Sequence, residues 1–203
     1  MTFQISNLSC ERQQKILFAN LSLQLHAGDV LLVEGPNGSG KSSLLKLLCG
    51  LSPAEYGDIH WMNQSVLTTD FSQQLHYIGH VNGIKLGLTV LENLQLMEKL
   101  FGSPQAHIDS VLTQLNLITE KHALAKNLSA GQKRRVGLAK LFLFPRQLWI
   151  LDEPFTALDV QLQALIANKI EEHALQGGIA IVSSHHAIRF NQIQAQTLRL
   201  PLC

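Results

Sequence analysis

The segment Gly35-Pro36-Asn37-Gly38-Ser39-Gly40-Lys41-Ser42 has the spacing Gly-x-x-x-x-Gly-Lys-Ser. Glycines in such a loop let successive backbone amides turn toward a phosphate chain, because no Cβ stands in the way. An apolar run over residues 30–33 precedes the loop, and leucines at helical spacing follow it as far as Gly50. The segment therefore lies between a predicted strand and a predicted helix, which is the context that a phosphate-binding loop requires.

Each part of this loop has a predicted role in holding a nucleotide. Lys41 is expected to reach the terminal phosphates, and the hydroxyl of Ser42 to be a ligand of Mg²⁺. The following helix directs the positive end of its dipole at the anion. The residues predicted to contact ATP here are Gly35, Pro36, Asn37, Gly38, Ser39, Gly40, Lys41, Ser42 and Ser43. A chance match in a chain of average composition arises about once in a hundred, so a plain flexible loop is the weaker interpretation.

An acidic pair, Asp152 and Glu153, ends the wholly apolar run over residues 148–151. Ligands bind at the carboxyl edge of a parallel sheet, where such a pair would emerge. We expect Asp152 to hold magnesium through water, and Glu153 to orient and polarise the water that attacks the γ-phosphoryl group. A helix N-cap before Pro154 is the alternative, but a cap explains only one of the two carboxylates.

The order of the predicted elements favours an α/β fold. Apolar runs over residues 148–151 and 179–182 read as strands buried on both faces, and residues 160–174 between them read as a helix that ends before Gly177. Such a strand-helix-strand crossover is typical of a parallel sheet. Alternation over residues 21–25 and a short strand over 58–62 predict additional antiparallel strands near the N-terminus.

A helical lobe is predicted over about residues 88–144. Its first part, residues 88–127, has helical periodicity. A single helix is then predicted over residues 129–144, opened by a capping box. In that box Ser129 accepts from the amide of Gln132 while the Gln132 side chain reaches back.

Four motifs in order make the chain resemble the ABC ATPases. Leu128-Ser129-Ala130-Gly131-Gln132 is similar to the signature of that family, and residues 148–154 to its Walker B strand. Ala157-Leu158-Asp159 resembles its D-loop, and His185 its switch histidine. The resemblance implies a single nucleotide-binding domain over residues 1–203: a P-loop ABC ATPase with a mainly parallel sheet core, an N-terminal antiparallel β subdomain and an inserted helical lobe.

The same resemblance implies a homodimer in the ATP state, in which the signature of one subunit covers the ATP held by the other. Ser129, Gly131 and Gln132 would then contact ATP in trans, since a capped helix N-terminus offers free amides to a γ-phosphate. Ser129 is a plain helix cap in either case. His185 would contact the γ-phosphate, since the register of the family favours it; the adjacent His186 is the alternative.

Two positions depart from the general family pattern. A histidine, His80, stands where most ABC ATPases have glutamine, and its imidazole could meet magnesium or the attacking water. Arg12 stands where an aromatic residue usually stacks on adenine, and a guanidinium plane can stack there instead. Taken singly, Arg12 is better interpreted as a surface charge and His80 as a capping histidine. Together the two departures make the chain resemble the cytochrome c maturation subfamily, also called haem exporter ATP-binding subunits. The short chain supports this resemblance, as do the motifs Cys10-Glu11-Arg12, Gly79-His80, Gly83-Ile84-Lys85, Ser129-Ala130-Gly131-Gln132 and Asp152-Glu153-Pro154-Phe155-Thr156-Ala157.

The composition and charge of the chain argue against some classes of binding partner. The formal charge of the 203 residues is +1, so no long-range field attracts nucleic acid or an anionic membrane. We find no secretory signal and no apolar run that could span a bilayer. The isolated Cys10, Cys49 and Cys203 predict reduced thiols rather than a metal site. The basic run Lys133-Arg134-Arg135 predicts a solvated face or a partner contact, and no ligand is assigned to it.

The resemblance to this subfamily implies a peripheral ATPase at the cytoplasmic side of the bacterial inner membrane. It would couple ATP hydrolysis to haem export, or to release of a haem-loaded chaperone, through integral membrane subunits of the cytochrome c maturation system. No direct haem contact and no nucleic acid partner are expected, since the chain has no haem-attachment motif. The alternatives are an ATPase of another small exporter, for lipid, lipoprotein or drug, and a nucleotide-dependent scaffold with little turnover.

Overall fold

The computed structural model describes residues 1–12, 14–102, 104, 107–185 and 188–201. The described residues form nine strands: β1 (Thr2–Arg12), β2 (Lys15–His26), β3 (Val30–Glu34), β4 (Tyr56–Trp61), β5 (Gln64–Ser65), β6 (Leu75–Ile78), β7 (Leu148–Asp152), β8 (Ile179–Ser183) and β9 (Gln196–Arg199). They also form seven α-helices: α1 (Lys41–Leu48), α2 (Thr69–Ser72), α3 (Val90–Phe101), α4 (Ile108–Gln114), α5 (Ala130–Leu138), α6 (Lys140–Leu143) and α7 (Val160–Leu175). Short 3₁₀ turns lie at Ile118–Glu120 and Ala125–Asn127.

An antiparallel sheet forms near the N-terminus, in the order β2-β1-β4-β5. This confirms the predicted antiparallel strands. Its buried face carries Phe3 and Trp61, whose ring centroids are 6.2 Å apart. Trp61 also contacts the ring of Phe71 at 6.5 Å. The alternating pattern of each strand thus places one apolar face in a core.

The second sheet has the order β6-β7-β8-β3-β9, and β3, β7, β8 and β9 pair in parallel. Every residue of β7 and β8 is buried, which explains their uninterrupted apolar sequences. Helix α7 connects these two strands, so the predicted crossover is confirmed. Strand β9 was not predicted, because Gln196–Arg199 is an exposed, mostly polar edge strand without an apolar pattern.

Helix α7 ends in a glycine turn. Gly177 has φ +87°, its N–H donates to Ala174 O, and the N–H of Gly178 donates to His173 O. These two bonds are a Schellman motif. The His173 ring stacks on Trp149 with centroids 3.9 Å apart and planes 4° apart. Gly178 lies so close to His173 that a Cβ would overlap the imidazole, so this position requires glycine.

The helices carry two capping boxes. Thr89 and Glu92 cap α3, and the predicted box of Ser129 and Gln132 caps α5. The single helix predicted over residues 129–144 is wrong in one respect, because it divides into α5 and α6 at Ala139. The amide of Ala139 donates to both Arg135 O and Val136 O, and the bond to Val136 O closes a tighter 3₁₀-type turn.

The chain divides into two compact units. The first consists of Met1–Tyr77, Arg146–Glu153 and Ile170–Cys203, and the second of Ile78–Pro145 and Pro154–Lys169. Among the described residues, no helix combines the length and the apolarity that a bilayer span requires. Cys10 and Cys49 are buried thiols, as predicted, and Cys203 lies outside the described residues.

Candidate functional site

The glycine loop connects β3 to α1 in the first unit. Gly35, Gly38 and Gly40 have φ of +152°, +83° and +94°, conformations that an L side chain rarely adopts. At Gly35 a Cβ would lie 2.5 Å from Leu200 O, and at Gly40 it would lie 3.0 Å from Leu17 Cβ. Backbone shape and close neighbours therefore both require glycine at the two ends of the loop.

The middle of the loop is open. A Cβ added to Gly38 would meet nothing within 4 Å, and Pro36 and Asn37 are exposed. No side chain caps α1, so the amides of its first turn are not occupied by a capping oxygen. Within the described part of the chain, the buried hydroxyl of Ser39 has no hydrogen-bond partner. Open space beside uncapped amides fits a bound phosphate chain.

Lys41 is 6% exposed, and its ammonium donates to Gly35 O at 2.6 Å and to Pro36 O at 3.0 Å. Burial lowers its pKa below the ordinary 10.5, while the negative charges of Glu153 and Asp152 act in the opposite direction. The lysine thus lies on the loop, within the field of both carboxylates. A cation held there is suited to bind an anion that enters the loop.

The carboxyl end of β7 is held by the neighbouring strand. Ser183 of β8 donates from Oγ to Asp152 Oδ1 at 2.7 Å and accepts from the amide of Glu153 at 2.9 Å. Asp152 is 2% exposed. Glu153 has φ +49°, a left-handed conformation that is costly for a residue with a Cβ. Such strain persists where the surroundings hold it, and it is common at active sites.

His185 lies next to Glu153. Its Nε2 is 2.5 Å from Glu153 Oε1, and both side chains are partly exposed. From the sequence, His185 was expected beside the acidic pair if the two strands that precede these residues are neighbours. The structure meets that condition, because β7 and β8 are paired. His186, the alternative, lies outside the described residues. Lys41, Asp152, Glu153 and His185 therefore form one group in the first unit.

The signature residues lie in the second unit, at the start of α5. Ser129 Oγ accepts from the amide of Gln132 at 3.1 Å, and the Gln132 side chain accepts from the amide of Ser129 at 2.8 Å. Gln132 also donates to Glu120 Oε1 at 3.0 Å. A Cβ on Gly131 would lie 2.5 Å from Ala157 O, so the signature glycine rests against the D-loop backbone.

The two unusual residues are both exposed. Arg12 ends β1 and pairs with Lys15 across the turn to β2. Burial raises the pKa of the nearby Cys10 thiol, and the charge and hydrogen bond of Arg12 oppose that rise. His80 belongs to the second unit, two residues after β6, and follows the buried Gly79.

Comparison with known proteins identifies the family. The sequence profile of the ABC transporter family matches residues 18–156, which is more than half of the chain. The chain belongs to the ABC transporter family. It is therefore an ATP-binding protein, as the geometry of its glycine loop indicates.

Curated relatives of this ABC protein are similar over nearly their whole length. "Cytochrome c biogenesis ATP-binding export protein CcmA" of Colwellia psychrerythraea is 43% identical, over 95% of this chain and 90% of that one. The protein of the same description from Dechloromonas aromatica is 42% identical, over 97% and 98%. A solved ABC transporter ATP-binding protein from Pyrococcus furiosus has a TM-score of 0.81 at 22% identity, over 98% of both chains. That likeness confirms the fold.

Sequence reasoning missed two polar residues of this ABC protein. Ser183 lies at the end of an apolar strand, and only its pairing with β7 shows that it binds the acidic pair. Arg134 was predicted to lie on a solvated face or at a partner contact, and the solvated face is wrong for this residue, because it is 5% exposed and donates to Gly79 O. The basic run carried no sign that one of its three members is buried.

Proposed function

We propose that this ABC protein is the ATPase subunit of a transporter complex for cytochrome c biogenesis, and that ATP hydrolysis drives haem export or release of a haem-loaded chaperone. The grouping of Lys41, Asp152, Glu153 and His185 carries the catalytic part of the proposal. The descriptions of the similar curated proteins support the biological part. Haem itself contacts the membrane subunits and not this chain.

The proposed reaction is in-line transfer of the γ-phosphoryl group to water. Lys41 turns from its carbonyl partners to the terminal phosphates, where its charge offsets the charge of the transferring group. Glu153 orients the water and polarises it. His185, bonded to Glu153, contacts the γ-phosphate and keeps the carboxylate in position. The remaining residues of the loop, 35–43, bind phosphate oxygens through backbone amides, except Pro36, which has no N–H and lines the loop.

Magnesium is the proposed metal. The hydroxyl of Ser42, which is exposed at the start of α1, and the carboxylate of Asp152 would hold it, and His80 would act in the place of the usual glutamine. Oxygen donors of this kind suit a hard divalent cation. The chemistry supplied when magnesium is bound is neutralisation of the phosphate charge. Arg12 is proposed to stack on the adenine.

A homodimer in the ATP state completes the proposed site. The first turn of α5 offers amides beside Ser129, Gly131 and Gln132, and these would contact the γ-phosphate of ATP bound to the second copy. The complex would lie at the cytoplasmic face of the inner membrane, docked on integral membrane subunits. A nucleic acid partner is not part of the proposal.

Genetic complementation tests the assignment. A strain lacking this gene is expected to lose its c-type cytochromes, and the wild-type gene to restore them. Lys41→Ala, which removes the phosphate cation, should fail to restore them, whereas Lys46→Ala on the exposed side of the same helix should succeed. Normal cytochromes in the deletion strain would instead favour another exporter, for lipid, lipoprotein or drug.

Glu153→Gln separates an enzyme from a scaffold. Loss of the carboxylate should stop hydrolysis while ATP stays bound, so a stable dimer is expected on size exclusion with ATP. The same variant should fail to restore cytochromes. Full restoration by Glu153→Gln would show that turnover is dispensable, and a nucleotide-dependent scaffold would be the better description.

A further inference from the structure

A buried guanidinium in the second unit binds the segment that contains His80. Arg134 of α5 donates from Nη1 to Gly79 O at 2.8 Å and to Asn82 Oδ1 at 3.1 Å. The residue is 5% exposed. Removing a guanidinium from water is costly, so its acceptors must be held in place. The partners lie 55 and 52 residues away along the chain.

The main chain of the same segment approaches α5 closely. Gly137 lies one turn after Arg134, and a Cβ there would be 2.8 Å from Asn82 O. Farther along, the buried Asn93 accepts from the amide of Lys85 at 2.7 Å and donates to Lys85 O at 3.0 Å. The segment from Gly79 to Lys85 is thus held at both ends, and α5 holds the end that carries His80.

The neighbouring Arg135 binds a different segment of the second unit. Arg135 Nη1 donates to Leu115 O and Asn116 O, each at 3.0 Å, and so joins α5 to the end of α4. Lys133, on the other side, donates to Lys126 O at 3.2 Å in an exposed position. Among the described residues, Arg134 is the one member of this basic run that donates hydrogen bonds to the His80 segment.

We infer that Arg134 is a positioning residue for His80. His80 follows the carbonyl that Arg134 binds and precedes Asn82, so the guanidinium holds the backbone before the imidazole and the Asn82 side chain after it. The inference rests on the role proposed above for His80 in ATP turnover.

A double-mutant cycle tests the inference, with the full chain copurified with its membrane subunits. His80→Ala should lower kcat about tenfold or more, as loss of a positioned polar group does, and leave KM for ATP nearly unchanged. Arg134→Ala should lower kcat in the same way. If Arg134 acts through His80, the double variant should match His80→Ala to within about twofold, the precision at which independent effects add.

Asn82→Ala gives a second cycle if Arg134→Ala does not fold, because it removes one hydrogen bond and leaves no cavity around a deleted guanidinium. Lys133→Ala is the control and should keep wild-type kcat. The inference is overturned if the effects of the single variants multiply, or if Lys133→Ala is as slow as Arg134→Ala. Wild-type kcat in His80→Ala would overturn it as well, and would leave the proposed roles of Lys41 and Glu153 standing.

Discussion

Ser183 binds the functional end of β7 through one hydroxyl, which donates to Asp152 Oδ1 at 2.7 Å. The same oxygen accepts from the amide of Glu153 at 2.9 Å. A residue that is fully buried in β8 therefore sets the position of a carboxylate and of the next backbone unit. Because Glu153 has φ +49°, the hydrogen bond to its amide helps to hold a conformation that is otherwise unfavourable.

Ser183→Ala should therefore both slow ATP hydrolysis and weaken the fold. The substitution removes both hydrogen bonds, with a loss of about 1–3 kcal/mol in the free energy of unfolding. We expect kcat to fall about tenfold, because a small displacement of a positioned group is costly. Steady-state ATPase and thermal denaturation measure the two effects. Ser183→Thr keeps the hydroxyl and should recover most of kcat; equal kcat in Ser183→Ala and wild type would contradict the positioning role.

Lys41→Met should abolish stabilisation by ATP without weakening the nucleotide-free protein. Burial lowers the Lys41 pKa, so the fold disfavours the ammonium relative to the unfolded chain. Below the folded pKa both states carry the proton, and the charge opposes folding; this penalty falls as pH rises through the folded pKa and is gone above the unfolded value of 10.5. The unfolding midpoint of nucleotide-free Lys41→Met should thus be no lower than that of wild type.

Differential scanning measures this prediction. ATP at about 100 times its Kd should raise the wild-type midpoint by about 5–10 °C and leave Lys41→Met unmoved. Lys46→Met, an exposed lysine of α1, is the control and should shift as wild type does. An ATP-induced shift of wild-type size in Lys41→Met would exclude the phosphate role of Lys41.

Glu92→Gln should destabilise the protein at neutral pH but not in acid. Hydrogen bonds from the amide and hydroxyl of Thr89 lower the pKa of Glu92 below the ordinary 4.5. A lowered carboxyl pKa contributes stability that is present above the unfolded value and is lost as pH falls through the folded one. The difference in urea midpoint between wild type and Glu92→Gln should hence vanish below the folded pKa.

Glu98→Gln, near the other end of α3, is the matched control, because no capping box involves it. Its urea midpoint should follow that of wild type at both pH values. A Glu92→Gln difference that persists unchanged in acid would show that the carboxylate charge does not cap the helix.

Gly131→Ala should disturb the signature without affecting nucleotide binding to the loop. The added Cβ would lie 2.5 Å from Ala157 O, and such overpacking costs about 1–3 kcal/mol of unfolding free energy. Since the glycine loop belongs to the other unit, ATP affinity of the monomer should be retained, while the proposed ATP-dependent dimer should weaken. Gly87→Ala, where a Cβ meets nothing within 4 Å, should match wild type in both respects. Fluorescent-nucleotide titration and size exclusion measure affinity and dimer.

Much of the fold was predictable because its decisive signals are local. The loop from Gly35 to Ser42, the buried runs of β7 and β8 and the box of Ser129 and Gln132 are each set by neighbours within a few residues. Hydrophobic period, glycine spacing and capping chemistry are properties of a short window. The structure confirms all three features.

The rest depended on partners far along the chain. Strand β9 has no apolar pattern, since it is an edge strand whose order comes from pairing with β3. Arg134 is buried only because Gly79 and Asn82 supply acceptors more than fifty residues away. Ser183 gains its position from strand pairing. Contacts of this kind leave no periodic trace in sequence, so a single chain without structure cannot display them.

The stacking of Trp149 on His173 also gives the protein a built-in optical reporter. The chain has two tryptophans, and the other, Trp61, lies in β4 between aromatic rings. Trp61→Phe would leave a single emitter three residues before Asp152, in contact with an imidazole that quenches its fluorescence. A change in emission from that variant would follow the strand that carries the acidic pair, without any added label.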